Sequence, residues 1–428
     1  MADTDDEGRK ARLIDAFDAV RRLTESLAAP LSAEDQTVQS IADVSPTKWH
    51  RAHTSWFFET FVLGPGLAGY VECHPAYGFV FNSYYEAVGA RHPRAARGLI
   101  SRPGIAEVAG YRRHVDAAMA RLLALGLEPE QLDLVELGVH HEQQHQELLL
   151  MDIKHVLWSN PLLPAYAPAA PERPNTAHPP KLGWTEHEGG TAEVGHAGRA
   201  FSFDNECPRH RTELVPFALA DRPVTCGEWQ AFIDDGGYAR PELWLSDGWA
   251  AVHEQQWTAP LYWTAGAADF QRPPPDGPAD PDTVFTLRGA RRLDPAEPVC
   301  HVSYYEADAF ARWSSARLPS EAEWEVVAAT QPPDEGNLLG SGALHPRPGG
   351  TMYGDVWEWT ASAYSPYPGF RAAPGAVGEY NGKFMVNQQV LRGGACVTPR
   401  GHVRPTYRNF FPPGARWAFA GLRLARDL

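Results

Sequence analysis

Three things are scarce in this chain: basic charge, paired cysteine and uninterrupted apolar sequence. Lys and Arg number 38 against 53 Asp and Glu, a formal charge of −15. That balance argues against a polyanion-binding surface, because phosphate contacts need clustered cations. The five cysteines (Cys73, Cys207, Cys226, Cys300, Cys396) are odd in number, scattered, and form no CxxC. This pattern suits reduced cytosolic thiols, not a disulfide framework or a thiolate zinc site. No apolar run approaches the roughly 18 residues of a membrane span. The acidic start, "MADTDDEGRK", has no apolar stretch of the signal-peptide kind. The expectation is a soluble, cytoplasmic protein without nucleic-acid or membrane partners, its oligomeric state left open.

What is present is ample core material. Hydrophobic residues make up 43% of 428 positions, with 14 Trp, and that length exceeds one ordinary core. The first part reads as helical. In "ARLIDAFDAVRRLTESLAA", Leu13, Phe17, Val20, Leu23 and Leu27 recur at three- and four-residue spacing. In "SPTKWHRAHTSWFFETFVLG", Ser45 is a candidate cap, Pro46 suits the first turn, and Gly64-Pro65 marks the stop. A third helix fits "GIAEVAGYRRHVDAAMARLLALG", and a fourth runs from about Glu130 to Trp158. Four helices with long connections suggest a bundle. "NPLLPAYAPAAPERPNTAHPPK" then reads as an extended linker. Beyond it the texture is that of an irregular α+β domain held by aromatic packing, with one clear helix, "VSYYEADAFARWSSA", capped by Ser303. The expected organisation is a multidomain α and α+β chain: helical domain 1–160, linker 161–182, second domain 183–428.

The stretch "VHHEQQHQELLL" puts His140, His141 and His145 among leucines. Helical phase places His141 and His145 one turn apart on the stripe of Leu134, Leu137 and Leu148, while His140, Glu142 and Gln146 point elsewhere. Two imidazoles at i and i+4 can hold one metal; two core histidines satisfied by hydrogen bonds are the plainer alternative. His53 lies on the aromatic stripe of the second helix with Trp49, Trp56 and Phe57, and can supply a third ligand. His50, one turn before it, is the main rival, and Glu59 or Glu142 can complete a two-His-one-carboxylate site instead. Three neutral imidazoles suit Zn(II) or Fe(II), a choice open at this level.

"WHRAHTSWFFE" followed by "HHEQQHQELLL" resembles a DinB-type metal-binding bundle. In the second half, "RPVTCGEWQAFI", "RLPSEAEWEVVA", "GDVWEWTAS", "VLRGGAC" and "AGLRLAR" follow one another as in the formylglycine-generating-enzyme-like fold, a C-type-lectin-like domain. Joined in one chain, the two halves resemble the ergothioneine-pathway sulfoxide synthases, the EgtB-type hercynine oxygenases. The resemblance implies Fe(II) held by His53, His141 and His145, with O2 as co-substrate. It also implies hercynine and a cysteine-type thiol as substrates, joined through C2 of the imidazole with oxidation of the sulfur.

The residue types suit that chemistry. A phenol can serve as proton donor, and Tyr84 and Tyr85 in "NSYYEAV" rank ahead of Tyr380 in "GEYNGKF". Gln144, on the metal-facing side of its helix, is a candidate contact for the hercynine imidazole. Asn409 matches the family's asparagine at the hercynine carboxylate or ammonium. Phe410, Phe411 or Trp417 can shield the trimethylammonium. Among Arg91, Arg94, Arg97 and Arg102, Arg94 is the first choice for the thiol's carboxylate, with Asp43 for its amino group. One departure matters. The γ-glutamylcysteine branch of the family follows the asparagine with Trp-Asp and, soon after, an arginine. Here Asn409 is followed by Phe410-Phe411-Pro412-Pro413-Gly414-Ala415-Arg416, without the aspartate and with the arginine displaced. Free cysteine is therefore favoured over γ-glutamylcysteine as sulfur donor. The alternatives are a DinB-type metal-dependent thiol S-transferase, a sulfatase-activating enzyme lacking its late cysteine pair, and a ligand-binding scaffold without turnover.

Overall fold

All twelve residues of the helix Thr47–Phe58 are buried, including Lys48, His50, Arg51, His53, Thr54 and Ser55. A helix buried on every face needs partners for its polar groups, and in this computed structural model Arg51 meets Glu25 and Gln36 while His50 meets Asp152. Residues 2–169, 181–263 and 283–428 are described. Half of the expected linker 161–182, residues 170–180, lies outside them. The chain divides into two compact units: Met1–Leu157 with Ala373–Tyr380, and Trp158–Ala372 with Asn381–Leu428. The eight residues Ala373–Tyr380 thus join the helical unit from far along the sequence, a division that no single chain boundary describes.

In the helical unit, Ala2–Ala28 buries Leu13, Phe17, Val20 and Leu27. Ile105–Leu125 and Pro129–Ser159 supply the other long helices. Ser45 is not a cap. Helix Thr47–Phe58 starts after Pro46 without a side-chain cap bond; the Ser45 N–H instead donates to Asp152 Oδ2 at 2.7 Å, and its hydroxyl accepts from Arg97 Nη1 at 2.8 Å. Nor does Gly64-Pro65 stop the helix. The chain passes through a π-helical turn, Glu59–Leu63, and one further turn, Gly64–Gly66, before extending at Leu67. Beneath the helices sits an ionic core. Glu142 is fully buried and accepts from Arg21 Nη1 at 3.0 Å, Arg112 Nη2 at 2.9 Å and Thr24 Oγ1 at 2.7 Å. Burial opposes its charge, but Arg21 and Arg112 hold the Glu142 carboxyl down to about 2.

The second unit is loop-rich. A three-stranded antiparallel sheet orders Trp184–His187, Phe217–Ala220 and Ala425–Asp427. A four-stranded mixed sheet orders Ala420–Leu422, Trp357–Ala363, Gln389–Arg392 and Asn409–Phe411. Helices Cys226–Asp234, Tyr304–Trp313 and Glu321–Ala328 each open with a capping box, Thr225/Glu228, Ser303/Glu306 and Ser320/Glu323. The motif strings of the sequence fall on these starts and on the strands. In "VLRGGAC", Gly394 has φ +83° and a Cβ there would lie 2.6 Å from Val403, so the turn leaving the strand admits only glycine.

Candidate metal centre

His53, His141 and His145 each offer a ring nitrogen, and these atoms all lie within 4.8 Å of one another. They form the one such group of His, Cys, Asp or Glu among the described residues. His53 comes from the buried helix; His141 and His145 come from Pro129–Ser159, one turn apart. The His53 ring is held from both faces and one edge. Trp49 stacks on it at 4.6 Å and 12°, Trp56 at 5.3 Å and 16°, and Nδ1 lies 2.6 Å from the Phe81 carbonyl oxygen. A carbonyl only accepts, so Nδ1 carries the proton and Nε2 carries the lone pair. That Nε2 is buried without a hydrogen-bond partner, as are both ring nitrogens of His141. Buried polar atoms left unmatched in this way are uncommon and point to a missing ligand.

Burial pushes all three imidazoles down. It lowers His141 to about 3 and, with the charges of neighbouring histidines, takes His53 and His145 well below the ordinary value. Neutral imidazoles are the form that binds metal. Three neutral nitrogen donors with no carboxylate fit a divalent first-row ion with coordination positions left for substrates.

The rivals are otherwise engaged. His50 Nδ1 lies 2.9 Å from His145 Nδ1, and its Nε2 lies 3.0 Å from Asp152 Oδ2. Glu142 is closed in by Arg21 and Arg112, and Glu59 accepts from Tyr70 at 2.6 Å, Tyr111 at 2.5 Å and the Cys73 N–H at 3.1 Å.

Tyr380, from the inserted segment, donates its hydroxyl proton to the Gln144 side-chain oxygen. Its ring is buried, 5.8 Å from that of His141. Glu379, beside it, accepts from the backbone N–H groups of Glu86 at 3.0 Å and Ala87 at 2.8 Å, which fastens the segment to the unit. The other two candidate phenols sit differently. Tyr85 is fully buried against Trp56 and Phe61, and burial raises its hydroxyl well above the ordinary value. Tyr84 stacks on Tyr85, their hydroxyls 3.5 Å apart, and its ring stands 6.5 Å from that of Tyr380. No periodicity links Tyr380 to the histidines, so sequence spacing ranked it last.

Arg94 is exposed and donates to the backbone oxygen of Asp43, so the structure joins this pair through the main chain; the Asp43 side chain is exposed. Arg97, by contrast, is buried, with its guanidinium 3.4 Å from the centroid of the Trp49 ring. In the second unit, Asn409, Phe410 and Phe411 are half-buried on their strand. Phe410 stacks on Tyr364 at 4.0 Å, Phe411 packs edge-on to Trp417 at 5.8 Å, and the Asn409 side-chain oxygen accepts from the Phe410 N–H at 2.9 Å. Arg416 is committed elsewhere, 3.0 Å from buried Glu306 and over the Trp257 ring at 4.4 Å.

The family model of the sulfatase-modifying factor enzyme 1-like domain matches residues 175–338 and 350–428. Over 97% of its length the chain is 33% identical to a hercynine oxygenase of Mycolicibacterium thermoresistibile, covering 94% of that protein. The chain belongs to the hercynine oxygenase family. A second hercynine oxygenase, of Mycobacterium tuberculosis, is 33% identical over 90% of this chain and 92% of its own. Ergothioneine biosynthesis protein 1 of Schizosaccharomyces pombe is 25% identical over 53% of the chain and 28% of that larger protein. The matched length takes in both parts of the chain, the helical part as well as the domain after it. No helix among the described residues is long and apolar enough to cross a membrane.

Proposed function

We propose that this chain is an Fe(II)- and O2-dependent sulfoxide synthase of ergothioneine biosynthesis, joining a cysteine-type thiol to C2 of the hercynine imidazole. The DinB-like helical part would hold the iron through His53, His141 and His145. The observation that carries the reading is the meeting of three neutral imidazoles with a buried phenol, in a member of the hercynine oxygenase family. Balanced, a thiol, the imidazole C2–H and one O2 give the C–S bond, the S=O bond and one water. When bound, the iron would supply the coordination positions and the redox couple through which electrons of the thiol and the imidazole reach O2. The residues do the rest. His53, His141 and His145 leave the centre without an anionic ligand, which suits binding of a thiolate. Tyr380 holds a proton on its hydroxyl oxygen, oriented by Gln144, where a general acid serves the reduction of O2 to water. Gln144, beside His145 on its helix, is assigned to the hercynine imidazole. Asn409, with Phe410 and Phe411, is assigned to the carboxylate and trimethylammonium end of hercynine, and Arg94 and Asp43 to the thiol's carboxylate and amino group. Free cysteine is the favoured sulfur donor over γ-glutamylcysteine. The aspartate that would serve the longer donor is absent, and the displaced Arg416 is tied to Glu306.

The test is reconstitution of the full chain with Fe(II) under anaerobic conditions, addition of hercynine with cysteine, and admission of air. Thiol-dependent O2 uptake with a product of the sulfoxide mass is expected. No uptake with either cysteine or γ-glutamylcysteine would refute the assignment. Thiol transfer without O2 consumption would support the S-transferase reading instead.

A further inference from the structure

His50 and Asp152 are both 2% exposed, and no role for either follows from the three-histidine set. They are joined to it in series. Asp152 Oδ2 takes the Ser45 N–H at 2.7 Å and lies 3.0 Å from His50 Nε2; His50 Nδ1 lies 2.9 Å from His145 Nδ1. Two ring nitrogens at that distance form a hydrogen bond only if one carries the proton and the other the lone pair. A carboxylate accepts, so the His50 proton belongs on Nε2, facing Asp152, and its Nδ1 is left as the acceptor. The proton between the rings is then on His145 Nδ1, and the lone pair of His145 is on Nε2, as it is on the Nε2 of His53. A ligand histidine that donates its remote N–H to a fixed acceptor is held in tautomer and orientation, and such outer partners govern metal affinity.

We propose that Asp152 and His50 act in series to hold His145 as a metal ligand through Nε2. His50 is then a positioning residue, although its place one turn before His53 gives it the look of a ligand. The inference rests on the reading of His53, His141 and His145 as a metal centre. The same buried helix thus supplies one ligand directly and steadies another on the facing helix. Each ligand imidazole of known tautomer has a different acceptor: a backbone carbonyl for His53 and a carboxylate-backed imidazole for His145.

The test compares His50→Leu with His50→Asn in the full chain. Both variants lose the donor to Asp152 and share whatever that costs in stability. Only Asn keeps an acceptor atom at the position of Nδ1. Co(II) is titrated into the metal-free proteins and followed by its visible absorption, with anaerobic Fe(II) competition, and the Tm of each metal-free protein is recorded. The Leu variant should bind Co(II) about tenfold or more weakly. The Asn variant should recover most of that loss, with the two metal-free Tm values falling together. A Leu variant that binds within about twofold of the parent, a change too small for a lost outer partner, overturns the inference. So does an equal loss in both variants, since the effect would then not depend on an acceptor at His145. A parent protein that binds neither Co(II) nor Fe(II) overturns the three-histidine reading itself, and this inference with it.

Discussion

The hydroxyl of Tyr380 donates to the side-chain oxygen of Gln144 across 236 residues of sequence. Gln144 immediately precedes His145, so the bond sets the phenol beside the histidine cluster. The phenol arrives on an eight-residue segment that belongs to the helical unit although the chain before and after it does not. The Glu379 carboxylate, anchored on two backbone N–H groups, limits how far Tyr380 can stray from Gln144.

Replacing Tyr380 by Phe keeps the ring and removes the proton. We expect sulfoxide formation to slow by about 10²- to 10⁴-fold, the range for losing a positioned general acid, with hercynine binding little changed. Tyr84→Phe should have a much smaller effect. Steady-state O2 uptake with product quantified by mass, alongside calorimetric hercynine titration, separates the two. Equal and small losses in both variants would remove Tyr380 from the mechanism.

His53→Ala, His141→Ala and His145→Ala should each lower bound iron, measured as metal per chain after anaerobic loading and desalting. His140→Ala should not. His140 lies on the other side of the helix phase, outside the set of nitrogens within 4.8 Å. Retention of full iron content by any one of the three ligand variants contradicts the assignment for that residue.

In the second unit Glu321 accepts from Arg408 Nε at 2.8 Å and Nη2 at 2.9 Å, and from Arg392 Nη2 at 2.8 Å. Burial alone would raise the carboxyl, but the two arginines hold it below its ordinary value of 4.5. A depressed folded-state value means stability that is fully present above 4.5 and lost as pH falls through the folded value. Glu321→Gln should cost about 3–5 kcal/mol at neutral pH, because it leaves buried Arg408 without a carboxylate partner, whereas Arg392 keeps Glu325 at 3.0 Å. The Tm gap between parent and variant should narrow below about pH 4. A gap that is constant with pH would show that Glu321 is not ionised in the folded protein.

The donor assignment is read from kcat/KM for cysteine against γ-glutamylcysteine at fixed hercynine. Cysteine should be preferred, since Arg416 is held by Glu306 and no aspartate follows Asn409. A higher kcat/KM for γ-glutamylcysteine would reverse the donor and leave the rest of the proposal standing.

Helical phase is a local property, so the sequence by itself put His141 and His145 on one face, separated them from His140, and placed His53 on an aromatic stripe. It also marked the capping boxes and strand motifs of the second domain, whose signals span a few residues each. Helix ends were less legible. Ser45 has the chemistry of a cap, yet Asp152 and Arg97, far along the chain, claim its N–H and hydroxyl.

Only the tertiary structure separates His50 from His53, because both face the protein interior and the difference depends on what stands opposite. His50 lies between Asp152 and His145, whereas His53 offers its ring nitrogen within 4.8 Å of those of both His141 and His145. The tertiary structure likewise set Tyr380 beside the histidines and buried Tyr85 among Trp56 and Phe61. Closing a loop of more than 200 residues leaves no local pattern, since its cost in chain entropy grows only slowly with length and is met by contacts at its two ends.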